Sequence, residues 1–283
     1  MAANVLTNTK ADLIAALVQR ELLERASLVP FVSNLSSLAV KGAKSVNIPK
    51  LSSFTVQSRA FGAAATENAA LTDSVDQILL NQNNIVLFGY DSHDEQQSSI
   101  DYMTAAIQRA SAAHGREINA DILATWTSVA GLNLNAGVPA DISTDDILDM
   151  REYLIKNFAD MTKSYLVIAA DQEKAMLKLP EFSRYDYRGG NASPIVNGQI
   201  GFVYGVPVVI NQQVASQQAF MVNVEGSAIA FQKAPMVAED TALQYGTGGR
   251  QVAVDVLYGV GGLQIAQAGA AAGKSPLIAK LKN

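Results

Sequence analysis

The 283-residue chain contains no cysteine. That single absence removes disulfides, thiolate metal sites and cysteine nucleophiles together. Histidine is almost as scarce: only His93 and His114 occur, and neither has a second histidine at metal-ligand spacing. Charge is thin as well, with 17% of residues charged against 49% hydrophobic. A globular monomer normally covers more of itself with charge, so the deficit points to surface reserved for partners. The net charge of −5 argues against nucleic-acid binding, whose counterion-release term needs clustered Lys and Arg. Long apolar runs are missing too. Stretches such as Leu13 to Val18 are too short to span a bilayer, and no basic start precedes a signal-type core, the first lysine being Lys10.

What is present reads as a mixed chain. Thr9 with Asp12 gives a capping-box-like start to a helix reaching about Ala26, with Leu13, Ile14, Leu17, Val18 and Leu22 on one side. Pro30 ends it. Ser33 to Ala43 reads as a polar connector and Lys44 to Pro49 as a strand. Residues 50–76 are poor in large apolar side chains and rich in Ala, Ser and Thr, so they are either disordered or held by a neighbour. Two short antiparallel strands flanking that excursion are the simplest reading of 45–90. From Ser98 to about Ala130 the helical signal is strongest: Ile100, Met103, Ile107, Ala110, His114, Ile118 and Ile122 follow three-four spacing, with Trp126 next.

Gly131 to Ala140 reads as a turn-rich break and the best domain boundary. Ser143-Thr-Asp-Asp146 caps a helix to about Phe158, and Ser164 to Ala169 is a buried-strand candidate. Asp171 to Leu179 is a short helix stopped by Pro180. Strands at 199–204 and 206–211 fold over at Gly205, which makes 141 to about 225 an α+β unit. Ala228–Gln232 and Gln251–Tyr258 are later strands.

Few motifs carry chemistry. Ala268-Gly-Ala-Ala-Ala-Gly-Lys-Ser275 fits a relaxed phosphate loop, with Lys274 and Ser275 in the phosphate and magnesium positions. That mechanism needs a helix N-terminus behind the loop, and Pro276 follows at once, so a flexible Ala/Gly tail is the better reading. Gly259, Gly261 and Gly262 fail the dinucleotide fingerprint and read as turn glycines. His93 reads as a solvated cap residue and His114 as a helix-packing one. Asp145-Asp146 suits a helix N-terminus, and Glu239-Asp240 a solvated loop. Tyr185, Tyr187 and Arg188 form an aromatic-arginine cluster of the kind that anchors interfaces, with a ligand loop as the other reading. No catalytic, cofactor-binding or metal-ligating residue is assigned.

In order, the 171–179 helix, the loop to Asn197-Gly198 and the Gly205-Val-Pro-Val turn resemble the later half of a tailed-phage major capsid protein. The whole ordered set is similar to the Hong Kong 97-like capsid fold. The resemblance implies an α+β chain with an N-terminal arm (1–44), an extended β-hairpin loop with flanking strands (45–90), and a peripheral domain with a long spine helix (91–140). An axial domain (141–225) and return strands of the peripheral domain with a C-terminal tail (226–283) complete it. It implies a virion protein, assembled in the host cytoplasm, whose pentamers and hexamers tile an icosahedral shell around double-stranded DNA without sequence-specific binding. The implied partners are copies of itself, with scaffolding, portal and decoration proteins, and no membrane and no cofactor. Interface candidates on that reading are Leu13 and Leu17 of the arm, Phe54, Arg59, Phe61 and Glu67 of the loop, and Tyr185, Tyr187 and Arg188. Some relatives crosslink through a loop lysine. Lys50 is the sole lysine between 45 and 90 and sits at the base, so no crosslinking is expected. The chain starts nearly at the arm, so a scaffold is expected as a separate or already removed segment. An encapsulin-type compartment shell, a nucleotide-binding enzyme using Ala268–Ser275, and a tail or surface-layer subunit are the alternatives.

Overall fold

The structure, a computed structural model, describes residues 28–51, 58–62, 73–90, 102–135, 141–179, 201–241, 249–264 and 274–281. The strands, in chain order, are β1 (Ser33–Asn34), β2 (Ser45–Leu51), β3 (Asp73–Leu79), β4 (Gln82–Tyr90), β5 (Ala130–Leu134) and β6 (Ser164–Ile168). They continue as β7 (Phe202–Val203), β8 (Val206–Ile210), β9 (Ala219–Asn223), β10 (Ser227–Thr241), β11 (Arg250–Gly262) and β12 (Ser275–Leu281). The helices are α1 (Tyr102–Val129), α2 (Thr144–Lys156) and α3 (Ala170–Lys178). The chain divides into two compact units, the first from Met1–Ser45, Leu79–Thr125 and Ala228–Val260, the second from Val46–Ile78, Trp126–Ser227 and Gly261–Asn283.

In the first unit a four-stranded sheet has the order β1-β10-β11-β4. The three-four spacing read from α1 becomes its buried stripe, since Ile107, Ala110, His114, Ile118 and Ile122 are all buried. Ile107 and Ala110 pack with Val237, Val252 and Val254, and Val86 and Phe88 close the cluster. Strand β11 pairs antiparallel with β4 from Arg250↔Tyr90 to Tyr258↔Gln82. Its period-two pattern is clean: Val252, Val254, Val256 and Tyr258 are buried while the residues between them are half-exposed. Each such side chain contributes about 1.5–3 kcal/mol by leaving water. Residues 33–43, expected as a connector, instead supply β1, which pairs parallel with β10. Ser36 Oγ accepts the Phe231 N–H at 3.0 Å, so this segment satisfies backbone groups that a free connector would leave open.

The second unit is built on a six-stranded sheet of order β5-β12-β9-β6-β8-β7. One face carries α2 and α3: Ile147, Met150 and Leu154 of α2 and Ala175 and Met176 of α3 pack on Leu166, Ile168, Met221 and Leu281. The other face is closed by the last turn of α1, where Trp126 meets Phe220 with ring centroids 5.9 Å apart. The Trp126 indole N–H donates to Ser227 Oγ at 2.8 Å, so the buried ring leaves no donor unmet. Helix α2 starts in a capping box. Ser143 Oγ accepts the Asp146 N–H at 3.2 Å, and the Asp146 carboxylate accepts the Ser143 N–H at 3.0 Å.

Four further expectations are corrected. Residues 131–134, read as the start of a turn-rich break, belong with Ala130 to the edge strand β5, parallel to β12. Gly131 fits a strand because a Cβ there would run into Tyr153 and the Ser275 carbonyl. Ser275, read with Ala268–Lys274 as a flexible Ala/Gly tail, instead opens β12, which is buried at every residue and lies between β5 and β9; residues 268–273 lie outside the described residues. Gly259, Gly261 and Gly262 are not turn glycines but lie in β11, where a Cβ at the last two would come within 2.9 Å of Ile78 and 2.7 Å of Val129 respectively. Glu239 and Asp240 are likewise in β10 rather than a loop, and Glu239 binds Arg250 at 2.6 Å.

Candidate functional site

Most of the buried polar groups hold the fold together, while the buried Ser111 Oγ and Arg151 Nε have no hydrogen-bond partner among the described residues. In the first unit the Tyr258 hydroxyl donates to Asp121 Oδ2 at 2.6 Å and accepts from Asn84 Nδ2 at 3.1 Å, tying α1, β11 and β4 together. Burial, then the Asp121 carboxylate, pushes the Tyr258 phenol well above its ordinary range. His114 is buried with Nε2 3.2 Å from the Val254 carbonyl. Burial lowers its pKa, against the smaller opposing pulls of that bond, Asp255 and Glu117. In the second unit β2 pairs with β3, and Lys50 forms an ion pair with Asp76. Asp76 Oδ2 also accepts the Gln264 N–H at 2.6 Å. The single lysine of 45–90 is thus tied down at the base of the excursion.

The phosphate-loop residues are spent in the same way. Lys274 Nζ donates to the Ser128 carbonyl at 2.6 Å, and Lys280 Nζ to that of Thr127 at 2.9 Å. Both lysines therefore satisfy carbonyls that α1 leaves open at its C-terminus, where the helix dipole also favours cations. Ser275 Oγ donates to the Gly226 carbonyl at 3.0 Å and is buried. A strand follows, where phosphate binding calls for a helix N-terminus. Among the described residues no group of three or more His, Asp or Glu could hold a metal ion.

Among the described residues the fold also presents large apolar side chains to solvent. On the first unit Ile85 and Leu87 of β4 point away from α1 and are exposed, as is Met236 of β10. Beside them Lys233 and Asp255 neutralise one another. On the second unit Leu148, Ile155 and Phe158 at α2, and Phe202, Tyr204 and Ile210 at the β7–β8 hairpin, are exposed. Between β2 and β3, Phe61 is fully exposed beside Gly62, whose φ is 84°. Arg59 is exposed in the same short segment. The other interface candidates, Leu13, Leu17, Phe54, Glu67, Tyr185, Tyr187 and Arg188, lie outside the described residues. Sequence reading missed Phe158, Phe202 and Tyr204. Their signal was position alone, a large ring at a helix end or beside a turn glycine.

Solved structures share this architecture. A chain of Mycobacterium phage Che8 is 19% identical with TM-score 0.70, over 89% of both chains. The capsid of Cyanophage P-SCSP1u is 13% identical with TM-score 0.68, over 89% of this chain and 86% of that one. The capsid of a native GTA particle is 15% identical with TM-score 0.68, over 91% and 89%. A search of curated protein sequences finds no match. The fold is thus that of a Hong Kong 97-like capsid subunit. Residues 39–252 match the phage capsid protein family, and the chain belongs to it. It is a major capsid protein, a structural subunit of the virion shell. Neither the compartment-shell, the nucleotide-enzyme nor the tail-subunit reading is favoured by this membership.

Proposed function

We propose that rings of five and six copies of this chain close an icosahedral shell around double-stranded DNA, assembled in the host cytoplasm with no catalytic step. Phe61 carries the reading. A fully exposed phenylalanine on a segment with little apolar material of its own gains nothing inside its own subunit. It gains about 1.5–3 kcal/mol per contact when a neighbour buries it. Heterologous contacts of this kind repeat around a ring and close it. Leu13, Leu17, Phe54, Arg59, Glu67, Tyr185, Tyr187 and Arg188 are proposed to share in such contacts. A scaffold, a portal and decoration proteins are proposed as further partners. The net charge of −5 suits a wall that lets DNA slide past without gripping it.

The test is size-exclusion chromatography with negative-stain microscopy on purified, tag-free protein. Rings of five or six or closed particles are expected. Phe61→Ala should leave the subunit's thermal midpoint unchanged while raising the concentration needed for assembly about 10- to 100-fold, the equivalent of ~1.5–3 kcal/mol. A chain that stays monomeric at high concentration and in scaffold-containing lysate would refute the proposal.

A further inference from the structure

One stretch of the chain is set apart by its charge. From Arg25 to Thr66 there is no Asp or Glu, so all 26 acidic residues of a chain with net charge −5 lie outside it. Its basic residues are Arg25, Lys41, Lys44, Lys50 and Arg59, of which Arg25 lies outside the described residues. Lys50 is answered by Asp76. Lys41 and Lys44 are exposed, and among the described residues neither side chain has a hydrogen-bond or ion-pair partner.

The loop that carries these two lysines is held in place by the rest of the first unit. The Leu35 N–H donates to the Ile229 carbonyl at 2.8 Å, and a short 3₁₀ turn at Ser36–Leu38 follows. The Ala43 N–H donates to the Val40 carbonyl at 3.1 Å, which closes a β-turn with Lys41-Gly42 at its tip. Gly42 has φ 90°, the type II conformation that favours glycine. From β10, Gln232 Nε2 donates to the Val40 and Ala43 carbonyls at 2.9 and 2.7 Å. The Leu80 N–H donates to the Lys44 carbonyl at 3.0 Å, and Ala39 is buried. The backbone is thus fixed before any partner arrives, and binding costs little ordering entropy.

Two aliphatic side chains are displayed on the same loop: Leu38 is 53% exposed and Val40 68%. Lys233, next to Gln232, is neutralised by Asp255 and adds no net charge. Leu38–Lys44 therefore presents two aliphatic groups and two unanswered ammonium groups. The complement of such a surface is a peptide with carboxylates beside aliphatic side chains. Nucleic acid fits it poorly. Phosphates would meet the lysines but leave Leu38 and Val40 in water, and two cations release few counterions.

We propose that the Leu38–Lys44 loop is a docking site for an acidic, aliphatic peptide segment of another protein. Lys41 and Lys44 meet its carboxylates, while Leu38 and Val40 meet its apolar side chains. The partner is not a copy of this chain. The proposal stands apart from the shell reading, because it is tested on the unassembled subunit.

The probe is a fluorescein-labelled synthetic peptide of Glu, Leu and Ala, titrated with the full-length protein and read by fluorescence anisotropy. A counterpart peptide of Lys, Leu and Ala and a short duplex DNA are run beside it. Saturable binding of the acidic peptide alone is expected, weakening as salt is raised. Lys41→Glu with Lys44→Glu should weaken it at least about tenfold by placing like charges opposite its carboxylates. Leu38→Ser with Val40→Ser should weaken it about tenfold by removing apolar contact. Lys41→Gln with Lys44→Gln should give a smaller loss, and it serves as the test should the charge reversal misfold. All these side chains are exposed, so thermal midpoints should stay within about 2 °C of wild type. No binding of the acidic peptide, equal binding of both peptides, or binding unchanged in the lysine variants overturns the proposal. Tighter binding of the DNA overturns it in favour of a nucleic-acid surface. Lysine variants that no longer form rings or shells from purified protein overturn it in favour of a contact between copies. A lowered midpoint in both lysine variants also overturns it, because the lysines then serve their own subunit.

Discussion

Replacing Tyr258 by phenylalanine removes one oxygen and leaves the ring, which keeps its tilted contact with Phe231 at 5.8 Å. The lost oxygen joins three elements, donating to Asp121 Oδ2 at 2.6 Å and accepting from Asn84 Nδ2 at 3.1 Å. A hydrogen bond to a charged group is worth about 1.5–3 kcal/mol. Asp121 is only partly buried, so water replaces some of the loss and the lower half of that range, about 1.5–2 kcal/mol, is expected. Because the chain has two units, one global midpoint is a poor readout, and native-state hydrogen exchange of the β4 and β11 amides is the better assay. In the Asp121→Asn background the same replacement should cost at least ~1 kcal/mol less, the signature of direct coupling. The pH dependence has a definite sign. The folded phenol's pKa lies above the unfolded value near 10, so the folded state keeps its proton when the unfolded state has lost it. This contribution is fully present below about pH 10 and is lost as pH rises beyond it. The gap between wild type and variant should therefore narrow in that range. A loss under about 0.5 kcal/mol, or one equal in both backgrounds, would refute the reasoning.

His114 gives the acid counterpart. Its folded pKa is lowered, so stability is full above about pH 6.5 and falls as the unfolded state takes up protons below that. His114→Gln should flatten the acid limb of a urea-midpoint profile; an unchanged slope would count against a buried neutral imidazole. At the end of α1, Lys280→Met should destabilise the second unit by about 1–3 kcal/mol by leaving the Thr127 carbonyl without that donor. Lys274→Ala, at an exposed carbonyl, should cost under about 1 kcal/mol in the same urea titration, and the reverse order would show that burial is not what matters.

The elements legible in the sequence were those specified locally. The α1 stripe from Ile107 to Trp126 is a helical period that needs no distant partner to be read. The turn at Gly205 and the capping box at Ser143 are fixed by two to four adjacent residues. Strands β5 and β12 were opaque because their identity is set by each other. Gly131 and Asn133 look like a loop until Ser275 and Lys280 lie alongside. Lys280, a charge in the middle of a sheet, reads as surface until the α1 carbonyl that accepts it is in view. Apart from Phe61 and Arg59, named through the family resemblance and found exposed, the outward surface was legible only as a shortage of charge. Phe158 and Tyr204 stand exposed at positive φ, and no periodicity records that.

The position of β12 also sets an order of events. Its partners β5 and β9 are made long before it, and the β10 and β11 segments must be synthesised in between. Until residues 275–281 emerge, the nascent chain carries two unpaired ladder rows with a strand-wide slot between them. Pairings so distant along the chain form slowly. The second unit is therefore completed by a late insertion, and copies that meet before it occurs meet with that slot open. The interval before β12 seats is therefore when strand exchange between neighbours competes most strongly with correct folding.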